Sequence, residues 1–81
     1  LLLESLQLEA IVAERVEFHR KAHPRAEFRV VAGEAPTWVV ADADLLRGIL
    51  TNLIENAAAA ASEIELTIEA AGVRIEDNGP G

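Results

Sequence analysis

The pattern of apolar and polar residues divides the chain into two helical segments and four strands. Helix formers without Gly or Pro predict a first helix over residues 4–22, and His23 ends it because a residue before proline avoids the helical conformation. Its apolar positions form two groups, with Leu8, Ile11, Val12 and Val16 on one side and Leu3, Leu6, Ala10 and Ala13 on another. Two apolar faces predict a helix that packs on two sides or contacts a segment outside this chain.

Asp42 marks the start of a second and more regular helix. An Asp is a good N-cap, and Asp44 follows in the first turn, where negative charge suits the helix dipole. Apolar residues then recur at spacings of three and four, which predicts a buried face formed by Leu46, Ile49, Leu50, Leu53 and Ala57. The alanine run 57–61 extends this helix, and Ser62 is expected to end it.

Four short segments are predicted to be strands, because they alternate or are rich in β-branched and aromatic residues. They cover residues 27–32, 37–41, 63–69 and 73–77, with turns at 33–36 and 70–72. Ile64, Leu66 and Ile68 alternate with polar residues and are expected to face a core, together with Val73 and Ile75. The order helix, strand, strand, helix, strand, strand predicts an α+β fold, a two-layer α/β sandwich with the helices on one sheet face.

Composition and charge narrow the classes of function. The 81 residues include 14 Asp and Glu against 7 Lys and Arg, a net charge of -7, which argues against nucleic-acid binding through phosphates. The chain has no Cys, which excludes disulfides, thiol catalysis and cysteine zinc sites. The N-terminal apolar run is too short for a membrane span or a signal peptide. The length fits one small domain, and a chain without Met is expected to be processed or a fragment.

Asn52 and Asn56 lie four residues apart on the second predicted helix and therefore share a face. Asparagine is a poor helix former, so two of them at this spacing suggest a function. An amide oxygen is a hard ligand that suits Mg²⁺, which keeps several waters and binds substrate phosphates as well. The alternative is a pair of solvated polar residues on an exposed face, and the spacing alone does not decide between the two.

A second polar motif follows directly after the last predicted strand and consists of Asp77, Asn78, Gly79, Pro80 and Gly81. Glycines on both sides of a proline let a backbone pass close to a ligand. An Asp at a strand end can accept a hydrogen bond from a ligand amino group. A plain turn is the alternative, since Asn-Gly and Gly-Pro are common chain breakers.

Together the two motifs resemble those of the sensor histidine kinases. Residues 50–57 (LTNLIENA) resemble the N-box of that family, and residues 77–81 (DNGPG) resemble its first glycine box, DxGxG. Residues 39–42 resemble the strand and the capping Asp that precede the N-box helix. The resemblance covers nearly the whole chain. It implies that residues 1–81 are the N-terminal portion of an ATP-binding catalytic domain of the gyrase/histidine-kinase ATPase superfamily, incomplete at the C-terminus.

The resemblance implies a role for each motif residue. Asn56 would ligate a Mg²⁺ ion that bridges the ATP phosphates, with Asn52 nearby in the same phosphate and metal shell. Asp77 would accept the adenine amino group, and Gly79 and Gly81 would leave room for the nucleotide. In ATP-hydrolysing relatives a Glu that activates water takes the place of Asn52. An amide cannot accept a proton in that way, which favours direct phosphoryl transfer over hydrolysis.

The resemblance also implies a larger, bacterial parent protein that transfers the ATP γ-phosphate to a histidine for relay to a response regulator. The ATP lid, the second glycine box and the dimerisation domain with the phosphoacceptor histidine lie outside these residues. We therefore expect the fragment alone to be inactive and to self-associate through an open sheet edge. The parent is expected to be cytoplasmic or anchored in the inner membrane through other segments. The alternatives are a stand-alone serine kinase of the same superfamily, of the anti-sigma-factor type, and a truncated module used only for protein interaction.

Four other residues have side chains that could take part in a functional site. The spacing from His19 to the next proline matches the family's phosphoacceptor motif, but Arg20 stands where that motif has an acidic residue. His19 is therefore expected to be a solvated histidine at a helix end, and His23 a surface loop residue. Trp38 is expected to lie in the core, with stacking on a nucleotide as the alternative. Glu55, beside the second asparagine, is expected to have an exposed structural role, with assistance to the phosphoryl acceptor as the alternative.

Overall fold

The computed structural model of the chain describes residues 1–70 and 72–78. The elements follow in the order β1 (Leu3–Gln7), α1 (Leu8–Ala22), β2 (Glu27–Val31), β3 (Trp38–Asp42), α2 (Ala43–Ala60), β4 (Glu63–Glu69) and β5 (Gly72–Asp77). Neither of the two helices in this described part of the chain is long and apolar enough to cross a membrane.

The first residues of the predicted N-terminal helix form the strand β1, so the prediction of a helix from residue 4 was wrong. β1 pairs antiparallel with β3 along its whole length, with Ser5 opposite Val40. α1 begins only at Leu8, whose backbone N–H donates to the carbonyl oxygen of Thr37 over 2.8 Å. The pairing partner lies far away in the sequence, so a tertiary ladder overrides the local helix propensity of these residues.

A three-stranded sheet carries much of the core. β4 is its central strand, with β2 parallel on one side and β5 antiparallel on the other. Ile64, Leu66 and Ile68 of β4 are buried, which confirms the predicted alternation, and the polar residues between them are exposed or half-buried. Both helices therefore cover the same face of this sheet, as the predicted two-layer sandwich requires.

α1 packs on this sheet through a single face. Leu8, Ile11, Val12 and Val16 are buried, as predicted for the first of its two apolar groups. Ala10 and Ala13 are exposed, and the other two members of the second group, Leu3 and Leu6, belong to β1. The second apolar face of the predicted helix therefore does not exist as a helical surface.

The buried face of α2 is narrower than the sequence pattern predicted. Leu50, Ile54 and Ala57 are buried, whereas Ile49 and Leu53 are 57% and 44% exposed. The prediction was wrong for the latter two residues because a helix lying on one sheet buries only the side turned toward it. At 100° per residue, Ile49 lies on the side of α2 away from Ile54.

Candidate functional site

Asn52 and Asn56 lie on the exposed side of α2, opposite the buried Ile54. Both side chains are exposed, and neither makes a hydrogen bond to any residue within 1–70 or 72–78. Their amide oxygens are therefore accessible to a ligand. This is true of a solvated pair and of a metal-binding pair alike, so exposure does not decide between the two. The exposed Leu45 and Ile49 share this side of the helix, about two turns and one turn before Asn52.

The start of α2 is held by Asp42, which confirms the predicted N-cap. Its Oδ1 accepts the backbone N–H of Leu45 over 3.1 Å, and its Oδ2 accepts the backbone N–H of Leu2 over 2.7 Å. These bonds, that from Leu2 first, hold the pKa of the Asp42 carboxyl below its usual range. The cap thus joins the N-terminus of the chain to the helix that carries the asparagine pair.

Asp77 ends β5 at the rim of the helix-covered sheet face. It stands directly opposite Ile64 in the antiparallel ladder, and residues opposite one another point to the same side of a sheet. Ile64 faces the core, so Asp77 lies on the face that carries the helices while remaining exposed. Gly79 and Gly81, the two predicted nucleotide-contacting glycines, lie outside the described residues.

Asn78 anchors the end of β5 to the loop that follows α2, a role that the sequence analysis did not assign. Its side-chain oxygen accepts the backbone N–H groups of Ser62 and Glu63 over 3.1 and 3.0 Å, and its Nδ2 donates to the Glu63 carboxylate over 3.1 Å. Asparagine after a strand is a residue type that bonds to nearby backbone, and this was the available signal. Because the loop starts one turn after Asn56, Asn78 ties together the elements that carry the two motifs.

A cavity of about 490 Å³ lies where β2 and β4 begin and β5 ends. The described residues that line it include Asp77 and Asn78, and also Glu27, Glu63, Glu65, Glu76 and Arg29. Neither asparagine of α2 is among them, so the cavity brings Asp77 and Asn78 together without the predicted metal ligands. Its mostly acidic lining is unsuited to phosphate groups.

His19 of α1 and His23, the C-cap of the same helix, form a cluster with Glu55 of α2. His19 is 2% exposed, so the prediction of a solvated helix-end histidine was wrong. A hydrogen bond of 2.8 Å joins His19 Nδ1 to Glu55 Oε2, and one of 2.6 Å joins His23 Nε2 to the same oxygen. The pKa of the Glu55 carboxyl is lowered, first by the bond from His23 and also by that from His19. The structural role predicted for Glu55 is a tie between the two helices.

Trp38 was predicted to lie in the core but is 61% exposed. It lies on β3, where the neighbouring Val39 is half-buried and Val40 is exposed. Successive strand residues point to opposite sides, so one side of this two-stranded ribbon faces solvent and carries the tryptophan. A two-stranded sheet lacks the second covering layer that would bury it.

No family model matches the sequence, and no curated protein matches it. Several solved structures, however, align with the structure of this chain. The catalytic domain of histidine kinase ThkA aligns with a TM-score of 0.90 at 20% identity, covering 99% of this chain and 60% of that chain. The cytoplasmic segment of histidine kinase QseC aligns with a TM-score of 0.86 at 21% identity, covering 98% and 53%. The ATP-binding domain of PrrB from Mycobacterium tuberculosis aligns with a TM-score of 0.82 at 22% identity, covering 98% and 61%.

These alignments confirm the predicted fold class. The chain has the fold of histidine kinase catalytic domains, and it spans between 53% and 61% of the length of the three solved structures.

Proposed function

We propose that this chain, which has the fold of sensor histidine kinase catalytic domains, is the ATP-binding part of such a kinase. The parent transfers the ATP γ-phosphate to a histidine, from which a response regulator receives it. The observation that carries the proposal is the pair Asn52 and Asn56, exposed and without hydrogen-bond partners among the described residues, on the second helix of this fold. Asparagine is a poor helix former and these two side chains lie outside the core, so their position on one face of this helix supports a role in ligand binding.

The donor chemistry of the pair fits Mg²⁺. A neutral amide oxygen is a hard ligand, and Mg²⁺ typically takes only one or two protein ligands together with water and substrate phosphates. In the proposal Asn56 holds the ion and Asn52 lies in the same shell. When bound there, the ion would supply positive charge next to the phosphates. α2 has one cationic residue, Arg47, and its guanidinium is paired with Glu14 over 2.8 Å, so the helix itself offers no free cation to the phosphates.

The adenine end of the nucleotide is assigned to the end of β5. Asp77, on the helix-facing rim of the sheet, accepts the adenine amino group in this proposal, and Gly79 and Gly81 allow close backbone approach. Asn78 supports this placement because it secures the strand end to the loop after α2.

The acceptor of the phosphoryl group is proposed to come from another part of the kinase. His19 is buried and bonded to Glu55, so its ring has no access to a nucleotide. The proposal therefore assigns the acceptor histidine to the dimerisation domain of the same kinase, and it places the reaction in the cytoplasm with the response regulator. At Asn52 an amide cannot act as a general base toward water, which favours transfer to a protein acceptor over ATP hydrolysis.

Calorimetric titration of the parent kinase with Mg-ATP tests the proposal. Asp77→Asn replaces an acceptor by a mixed donor and acceptor and is expected to weaken ATP binding about 10- to 100-fold. Asp44→Asn is the matched control, because Asp44 is an exposed carboxylate of α2 far from the strand end, and it should bind ATP as the wild type does. Unchanged ATP affinity in the Asp77 variant would refute the assignment of this residue.

A further inference from the structure

Three potential metal ligands meet where the end of α1 crosses α2. His19 Nδ1, His23 Nε2 and a carboxylate oxygen of Glu55 all lie within 4.8 Å of one another. The backbone N–H of His23 donates to the carbonyl oxygen of His19 over 2.9 Å, which keeps the two rings at helical spacing on one side of α1. Two histidines four residues apart on one helical face are a known arrangement for binding zinc.

We propose that His19, His23 and Glu55 bind a divalent transition-metal ion of the Zn²⁺ class, with water in a fourth position. Two imidazoles and one carboxylate are ligands that Zn²⁺ accepts, whereas Mg²⁺ prefers an all-oxygen environment. The ion would be held by one residue of the helix α1, its C-cap and one residue of α2. It would thereby join the two helices at the place where hydrogen bonds join them now.

The distances in the cluster fit such an ion after a small adjustment. Tetrahedral zinc with bonds of about 2.0–2.1 Å separates its ligand atoms by about 3.3 Å. The Glu55 oxygen lies 2.8 Å from His19 and 2.6 Å from His23, so these two contacts must lengthen by about 0.5–0.7 Å when the ion takes the place of the two hydrogen-bond protons. The two ring nitrogens, which lie within 4.8 Å of each other, must reach about the same separation. The side chains of His23 and Glu55 are 30% and 46% exposed, which leaves them room to move and gives water access to the fourth position.

The electrostatics of the cluster favour a cation. With both imidazoles neutral, the three side chains carry one negative charge, and the chain as a whole carries a net charge of -7. The Nε2 of His19 is buried and has no hydrogen-bond partner among the described residues. This holds whether Nδ1 carries a proton or binds a metal, so metal binding leaves no additional buried atom unpaired. A ligating histidine is usually oriented by such an outer bond, and its absence here is expected to lower the affinity about 10- to 100-fold.

The site is separate from the proposed nucleotide site. Glu55 precedes Asn56 in the chain, but their side chains leave α2 about 100° apart, one toward α1 and the other toward solvent. The zinc proposal therefore does not rest on ATP binding. Asn56→Ala should bind zinc as the wild type does, so failure of one proposal leaves the other standing.

Calorimetric titration of the 81-residue chain with Zn²⁺ alone, without nucleotide, tests the inference. One ion per chain is expected to bind, and an excess of Mg²⁺ should not displace it. At a free zinc concentration 100 times the Kd, the midpoint of thermal unfolding should rise by about 10–20 °C. Co²⁺ in place of Zn²⁺ should give the visible absorption of a four-coordinate ion with nitrogen and oxygen ligands.

Two ligand variants and one control decide the outcome. His23→Gln and Glu55→Gln, both at partly exposed positions, should each weaken zinc binding about 100-fold. This is the upper end of the loss known for outer-shell partners, because these two residues bind the ion directly. Glu17→Gln removes an exposed carboxylate of α1 outside the cluster and should bind zinc normally. Absence of zinc binding by the wild type, or full binding by the Glu55 variant, would show that the cluster is a hydrogen-bonded tie between helices and nothing more.

Discussion

The two sides of α2 are built from similar residues and behave in opposite ways. On the side that faces the sheet, Leu50, Ile54 and Ala57 are buried in the core. On the other side, the apolar Leu45 and Ile49 are exposed beside two unpaired asparagines. Apolar residues on both sides made the predicted buried face of α2 too broad, and only packing shows which of them stabilise the fold.

Hydrogen bonding distinguishes two kinds of polar side chain on α2. Glu55, at the edge of the exposed side, is bonded to two histidines and ties α1 to α2. The side chain of its neighbour Asn56 makes no hydrogen bond to the described residues. A polar group whose bonds are made within the chain stabilises the fold, whereas one that leaves them unmade in a rigid position is available to a ligand.

The largest expected effect comes from the exposed side. Asn56→Ala in the parent kinase should lower the rate of phosphoryl transfer from ATP about 100-fold or more, because it removes the proposed magnesium ligand. The free energy of unfolding should not fall, since the side chain is exposed and alanine is a better helix former than asparagine. The rate of autophosphorylation with labelled ATP, beside urea unfolding of the same variant, gives both numbers. A normal rate of phosphoryl transfer in a well-folded variant would refute the assignment of Asn56 as the magnesium ligand.

Two isoleucines of the same helix test the structural half. Ile54→Ala should lower the free energy of unfolding by about 2–5 kcal/mol, because a fully buried side chain leaves a cavity. Ile49→Ala, with the same loss of atoms on the exposed side, should change it by no more than about 0.5 kcal/mol. Urea denaturation of the two variants measures the difference. Equal losses would mean that a layer covering Ile49 contributes to the fold in solution.

The bonds of Asn78 offer a smaller effect that sharpens the comparison. Asn78→Ala removes the acceptor for two backbone N–H groups at the α2–β4 loop and should lower the free energy of unfolding by about 1 kcal/mol. Because these bonds tie the end of β5 to the loop that follows α2, ATP binding by the parent should weaken as well. Thermal unfolding and ATP titration check the two parts. A loss of stability without loss of ATP affinity would make Asn78 a purely structural residue.

The smallest expected effect is a pH dependence at the start of α1. The Glu9 carboxylate accepts the backbone N–H of Thr37 over 2.9 Å, and this bond in the first place lowers the Glu9 pKa. Its stabilisation is therefore present above the unfolded pKa of about 4.3 and is lost as the pH falls through the lower folded pKa. Glu9→Gln should be less stable than the wild type at pH 7 and equally stable at strongly acidic pH.

Urea unfolding of both proteins over a pH series measures this difference. Glu34→Gln, which removes an exposed loop carboxylate, is the control and should follow the wild-type curve. A gap between wild type and the Glu9 variant that stays constant as the pH falls would show that the carboxylate charge is not the cause.

Much of the fold could be predicted from local patterns. Alternation along β4 placed Ile64, Leu66 and Ile68 in the core, because strand residues point to opposite sides in turn. Asp42 was identified as the cap of α2 from residue type and position alone, and the structure confirms its bond to Leu45. The candidate pair Asn52 and Asn56 was found because asparagine is unexpected in a helix, and the structure places both on one exposed face.

The failures have one physical cause, which is that burial and strand pairing depend on distant residues. β1 is a strand because it pairs with β3, and Trp38 is exposed because no other described residues cover its side of that ribbon. His19 and Glu55 stand 36 residues apart in the chain, so no local pattern predicts that they meet.

Local patterns were thus enough to predict two helices, the central strand β4 and the two motifs, because periodicity, capping and residue chemistry act over a few neighbouring residues. Tertiary structure alone decided which side of α2 is buried, where the chain begins its first helix, and that two histidines and a glutamate share one place. These outcomes depend on which surfaces the folded chain brings into contact, and that is a property of the whole molecule.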